Sequence, residues 1–361
     1  MKVSGKLPID KSKIHRVLIR ATNWVGDVVM TMPALEAVRH NFPSSTIHVL
    51  ARPWVVPLFE NHPAVDHVIL LNKDKGYPRD ALEVLRVAKT IREQQFDLAI
   101  LFQNAFEAAL LAYLGRAGHR VGYNTDGRKI LLTHAVIRNE DVLKKHQVEY
   151  YLEILRAMDW VAPTREPRVF VSEKDKESVD ALLSAKGINP GDSLLGLSPG
   201  AVYGPAKRWP VDRFAAIGDW AVGRWDMKAL VVGSRAEAEL CQDLTRAMKR
   251  QALDLCGITT LGEVLALIER CRFFVCNDSG LMHVAAALNV PTVAVFGSTD
   301  PVATGPRGKY ARIVRHPMDC SPCLKPRCNI GYPCLLDIEP QEVWAEMEDL
   351  KRTLEEAVLE E

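Results

Sequence analysis

The chain has 361 residues, 48% of them hydrophobic and 25% charged, and a formal net charge of +1. That length suits two domains better than one, with apolar material for a core in each, and the near-zero charge argues against a dedicated nucleic-acid binder. No apolar run reaches the roughly 18 residues that a membrane span needs, so none is expected.

In chain order, residues 1–16 are basic but lack the apolar run of a secretory signal. Residues 17–21 predict a buried strand, and Thr22-Asn23-Trp24-Val25-Gly26-Asp27 a turn into a helix over 28–40. Asp27 therefore stands at the mouth of the first strand-to-helix junction, either as a cap of that helix or as a reactive carboxylate. Strands are predicted at 46–51 and 68–71, then a helix over 80–95. In that helix Leu82, Leu85, Ala88 and Ile91 recur at helical spacing, with Arg86, Lys89 and Arg92 on another face. Such a basic face is either solvated or a contact for an anionic acceptor or membrane surface. A strand at 97–102 is closed by the polar pair Gln103-Asn104, near where Asp27 would lie. A strand at 120–123, a helix within 138–160 with His146 and Glu149 on its polar side, and a two-proline linker at 161–167 complete this half.

The second half repeats the pattern. A strand at 193–198 runs into a loop rich in turn formers, 199–210, which carries the adjacent cations Lys207 and Arg208. A strand at 228–232 ends at Gly233-Ser234, before a helix carrying Glu237, and strands at 252–256 and 273–275 follow. Then comes Asn277-Asp278-Ser279-Gly280, an Ala-rich helix over 281–288 and a strand at 291–296. The first N–H groups of that helix have no partner within it, and its dipole adds positive charge, which makes the turn a phosphate site. Gly280 allows close backbone approach, Ser279 can cap the helix or bond an anion, Asp278 sits at a strand's carboxyl end, and His283 lies one turn on. An acidic amphipathic helix over 343–359 ends the chain.

This alternation predicts an α/β chain of two doubly wound, Rossmann-like domains facing one cleft. The expected division is 1–165, 166–340 and a helix in 341–361 that packs across both domains or back onto the first. No G-x-G-x-x-G follows the first strand, which disfavours a dehydrogenase. Two ligand edges suit a reaction that joins two substrates. Lys207 and the Ser279-Gly280 helix start would stabilise a departing diphosphate, and Asp27 would take the proton of an incoming hydroxyl.

The eight cysteines all follow residue 240, four scattered (Cys241, Cys256, Cys271, Cys276) and four clustered (Cys320, Cys323, Cys328, Cys334). With no export signal, this usage predicts reduced thiols in a cytoplasmic protein. The cluster, with its C-x-x-C pair, is open to two readings: a tetrahedral zinc site, or reduced structural thiols. No metal is expected in catalysis.

The segments NWVGDVVMTMPAL (23–35), SPGAVYGPAKRWP (198–210), NDSGLMHVAAALNVPTVAVFGSTDP (277–301) and CSPCLKPRC (320–328) together resemble the ADP-heptose:lipopolysaccharide heptosyltransferases of glycosyltransferase family 9, and most of all their type II members. The resemblance implies a GT-B fold and metal-independent, inverting transfer of L-glycero-D-manno-heptose from ADP-heptose to the inner core of lipopolysaccharide, as its second heptose. It implies no cofactor, a lipid A-Kdo-heptose acceptor, and peripheral contact with the cytoplasmic face of the inner membrane. Carried over residue by residue, the base falls on Asp27 and the phosphate lysine on Lys207. Asp278 would hold the transferred sugar, Ser279, Gly280 and Leu281 would line the phosphates, His283 matches the histidine after that turn, and Glu237 is the counterpart of the ribose acid. Asn23, Trp24, Gln103 and Asn104 are expected to face the acceptor. The other readings are addition of the first heptose, a different nucleotide-sugar glycosyltransferase, and a non-catalytic sugar-nucleotide sensor.

Overall fold

Unbroken apolar runs such as Val17-Leu18-Ile19 and Leu98-Ala99-Ile100-Leu101 are buried along their length, the setting of a parallel sheet covered on both faces. The computed structural model describes residues 2–5, 8–73 and 76–359. It divides into two compact units, Met1–Phe170 and Val171–Glu361, so the boundary falls just past the expected linker.

In the first unit the strands are β1 (Val3–Gly5), β2 (Arg16–Arg20), β3 (Thr46–Ala51), β4 (His67–Leu70), β5 (Leu98–Leu101), β6 (His119–Tyr123) and β7 (His134–Val136). They form one sheet in the order β1-β7-β6-β5-β2-β3-β4, parallel except for β1, which runs antiparallel to β7. The second unit contains β8 (Leu194–Ser198), β9 (Lys228–Val231), β10 (Ala252–Asp254), β11 (Phe273–Asn277), β12 (Thr292–Val295) and β13 (Ala311–Val314). These form an all-parallel sheet in the order β10-β9-β8-β11-β12-β13. Both are doubly wound sheets, as expected.

In each sheet the winding reverses beside the first parallel strand, between β2 and β5 and again between β8 and β11. Loops leaving those neighbours diverge and open a crevice at the strands' carboxyl ends. Register makes this concrete: Arg20 pairs with Leu101, and Ser198 with Cys276. The turn before Asp27 therefore emerges next to Gln103-Asn104, and the Lys207 loop next to Asp278.

The helix Val25–Asn41 is buried over most of its length and packs against the helix Gln147–Arg156. It begins earlier than the expected 28, which matters for Asp27 below. The last helix, Pro340–Leu359, corrects the expectation of a strap across both halves or onto the first. It belongs to the second unit and packs on the helix Val211–Trp225, β12 and β13. Its Val343, Trp344, Met347 and Leu350 join the core that holds Trp209, Phe214 and Leu195, and that apolar burial fixes its place. Residues 360–361 of the expected segment lie outside the described residues. The expectation of uniformly reduced thiols also fails at one pair: Cys241, on the helix Ala238–Ala247, is disulfide-bonded to Cys256 just beyond β10, which that helix packs against. No helix among the described residues is long and apolar enough to cross a membrane.

Candidate active site

At the carboxyl end of β2, Trp24 occupies the N-cap position of the helix Val25–Asn41 and Asp27 lies in its first turn, so Asp27 is not the cap. A carboxylate there is favoured by the positive end of the helix dipole. Its charge reaches the buried phenol of Tyr151, on the helix Gln147–Arg156; burial first, and then Asp27, hold that hydroxyl well above its ordinary pKa. Asn23 is gripped from two sides: its Oδ1 accepts from Arg20 Nη2 at 3.1 Å, and its carbonyl accepts from Trp54 Nε1 at 2.7 Å. Arg20 is 1% exposed, and burial lowers its pKa to about 10. Trp24, by contrast, is 61% exposed, an aromatic face offered outward.

Beyond β5, Gln103 and Asn104 are braced by a second buried arginine, Arg128. Its Nη1 donates to the Gln103 carbonyl, its Nη2 to Asn104 Oδ1 at 3.2 Å, and its Nε to the Tyr123 carbonyl at 2.8 Å. Asn104 Nδ2 in turn donates to the Tyr150 hydroxyl at 2.8 Å. Both ends of the Asn104 amide are thus committed to the fold, whereas the buried Gln103 Oε1 has no hydrogen-bond partner.

In the second unit the expected residues converge. Lys207 Nζ lies 2.6 Å from Asp278 Oδ2 and 4.8 Å from the centre of the Tyr203 ring. Asp278 is buried at the end of β11, and the Thr299 hydroxyl, from the loop after β12, donates to the same Oδ2. Ser279 takes the N-cap position of the helix Gly280–Ala287, but its hydroxyl is not the cap; it is buried with no hydrogen-bond partner, as is that of Ser298. A helix start, a cation and two unpaired hydroxyls gathered at one sheet edge form an anion-binding arrangement. Leu281 is partly exposed at the helix start, and His283 is buried one turn in.

Glu237, matched by the resemblance to the ribose acid, follows Gly233-Ser234 and has a local role. Its Oε2 accepts from Ser234 N at 2.9 Å and from Ser234 Oγ at 2.6 Å, closing a capping box. Its Oε1 faces Gly200, where an added Cβ would come within 2.0 Å of it. The acid thus borders the same loop that carries Lys207.

Sequence reading missed Asn277 and Thr299 as parts of the site. Asn277 Oδ1 accepts from Trp209 N at 3.0 Å and its Nδ2 donates to the Pro199 carbonyl at 2.7 Å, tying both ends of the Lys207 loop to β11. Thr299 follows an apolar strand at its carboxyl end, the signal that singled out Asp278. Arg128 and Tyr151 gave no such signal, since their roles depend on contacts between distant segments.

Residues 84–332 match the family model for glycosyltransferase family 9 (heptosyltransferase). The chain is 31% identical to lipopolysaccharide heptosyltransferase 2 of Salmonella typhimurium, over 93% of this chain and 98% of that protein. It is 27% identical to lipopolysaccharide heptosyltransferase 1 of Pseudomonas aeruginosa, over 93% of this chain and 92% of that one. Among solved structures, the E. coli ADP-heptose lps heptosyltransferase II is similar with a TM-score of 0.81 and 27% identity, covering 94% of this chain and 99% of that one.

Proposed function

Because the chain belongs to glycosyltransferase family 9, the heptosyltransferases, we propose that it moves L-glycero-D-manno-heptose from ADP-heptose to the inner core of lipopolysaccharide and adds the second heptose. The observation that carries this reading is the Lys207–Asp278–Thr299 cluster beside the N-terminus of the helix Gly280–Ala287. The diphosphate binds over Ser279 and Gly280, with Lys207 meeting its charge, Asp278 holding the sugar hydroxyls and Glu237 the ribose.

The reaction joins an acceptor to the donor sugar. An acceptor hydroxyl attacks the anomeric carbon from the face opposite the diphosphate, its proton passes to Asp27, and the bond to the phosphate oxygen breaks with inversion. Lys207, Ser279 and the helix N–H groups stabilise the negative charge that collects on the leaving group. Asn23, Trp24 and Gln103 face the acceptor sugars, while Asn104 acts through the fold by holding its neighbours.

The acceptor is a lipid, and exposed Leu82 and Leu85 on the helix Arg79–Gln94 supply peripheral contact with the cytoplasmic face of the inner membrane. The basic face of that helix contributes less than its sequence suggests, since Arg86 pairs with Glu83 at 2.7 Å and Lys89 with Glu93 at 3.7 Å. Higher identity to the type 2 relative than to the type 1 relative supports second-heptose addition. The test is an acceptor assay with ADP-heptose. Lipopolysaccharide carrying one heptose should be extended, and acceptor truncated before the first heptose should not; the reverse result assigns first-heptose addition, and no transfer to either sinks the reading.

A further inference from the structure

Lys207 and Asp278 form a nearly enclosed ion pair, their side chains 13% and 4% exposed. Water screens so enclosed a pair only weakly, and a buried carboxylate that loses its one counter-charge is strongly destabilising. The function proposed above nevertheless asks the same ammonium to meet a diphosphate. For Lys207 to do so, Asp278 needs a second donor that an arriving anion does not draw away.

Thr299 is placed to be that donor. Its hydroxyl donates to Asp278 Oδ2, the oxygen that Lys207 also meets. Thr299 is itself buried, and its backbone is fixed on both sides. The Ser298 carbonyl before it accepts from Leu324 N at 2.8 Å, and Asp300 after it caps the short helix Pro301–Thr304, its Oδ1 accepting from Val302 N at 2.9 Å. Asp278 is tied to the same strand end, since its N donates to the carbonyl of Val295, the last residue of β12, at 3.1 Å. Lys207 is flanked separately: the centre of the Tyr203 ring lies 4.8 Å from its Nζ, and the Tyr203 hydroxyl donates to the Leu324 carbonyl. A ring face attracts an ammonium without occupying its N–H donors as a carboxylate does, so it holds the charge near the crevice while those donors are redirected.

We propose that Thr299 is a positioning residue that frees Lys207 for the diphosphate. When the anion arrives, the ammonium, with its three N–H donors, is shared between the phosphates and Asp278. The Thr299 hydroxyl stays on Oδ2, so the buried carboxylate keeps a donor and Lys207 turns toward the phosphates at small cost. With Lys207 and Thr299 both on Oδ2, Asp278 offers Oδ1 to the sugar. Without the hydroxyl, Asp278 would hold the ammonium harder and compete with the diphosphate for it. The inference rests on the reading of this edge as a sugar-diphosphate site.

The test is calorimetric titration of the full chain with ADP. Thr299→Val removes the hydroxyl at nearly the same shape and should weaken ADP binding about tenfold, whereas Thr299→Ser restores the donor and should bind within about twofold of wild type. Asp278→Ala removes the competitor and should bind ADP at least as tightly as wild type. In that background Thr299→Val should have no further effect, because the group it acts through is gone. A merely structural threonine would cost the same in both backgrounds. Unchanged affinity in Thr299→Val, an equal loss in the two backgrounds, or weaker binding by Asp278→Ala each overturns this inference alone, and the last does not require that the valine variant fold. Wild-type protein that binds no ADP overturns both the inference and the reading beneath it.

Discussion

The carboxyl edges of the two sheets share one topology and are furnished in opposite ways. At the first, buried Arg20 and Arg128 spend their donors on backbone carbonyls and on the amides of Asn23 and Asn104, so the positive charge is spent inside the fold and the surface offers neutral groups beside Asp27. At the second, Lys207 reaches the crevice itself, countered by Asp278, next to hydroxyls that no protein group satisfies. A switch point therefore sets where a ligand can go, and the fate of its arginines and lysines sets the charge it can take: the first edge suits a neutral polyol and the second an anion.

The largest effect that would break this contrast comes from Asp27. Asp27→Asn should lower transfer by about 10²- to 10⁴-fold with donor affinity unchanged, read by steady-state kinetics and by calorimetry with ADP. An equal loss of donor affinity would mean that the two edges do not divide the labour. Lys207→Met should cost about 10²- to 10³-fold in kcat/KM and, unlike the Asp27 change, weaken ADP binding in the same calorimeter.

Arg128→Leu should leave Asn104 and two carbonyls short of donors and lower the stability of the first unit by about 3 kcal/mol, measured by denaturant unfolding. A milder, pH-dependent version concerns His62, buried beside Phe170, whose Nδ1 accepts from Ala64 N at 3.1 Å. Burial, with Arg168 adding to it, lowers its pKa to about 4 from 6.5. The neutral form is thus the folded form, and the stability it brings is full above pH 6.5 and lost as pH falls toward 4, so acid unfolding should start in the first unit and His62→Gln should flatten that slope. The smallest effect is at the second edge: Ser234→Ala removes one side of the capping box and should cost about 1 kcal/mol by thermal melting, with a modest loss of ADP affinity because Glu237 is no longer held.

Much of this plan was legible in the residues. Apolar runs ending in Asp278 or Gln103 mark strand ends at a switch point, and the glycine after Ser279 marks a helix start open to phosphate. What escaped were pairings across long stretches of sequence: the reach of Arg128 to Asn104, the junction of Cys241 with Cys256, and the acidic tail helix whose Trp344 settled in the second core. Amphipathic spacing tells which face of a helix is buried, but several surfaces in a two-domain chain can bury it.

Clamped at zero exposure between Pro199 and Trp209, Asn277 turns the stretch bearing Lys207 into a span with both feet anchored before any ligand arrives. The ordering entropy is lost once, when the chain folds, and not at every turnover, so a nucleotide bound there as proposed meets a cradle already in shape.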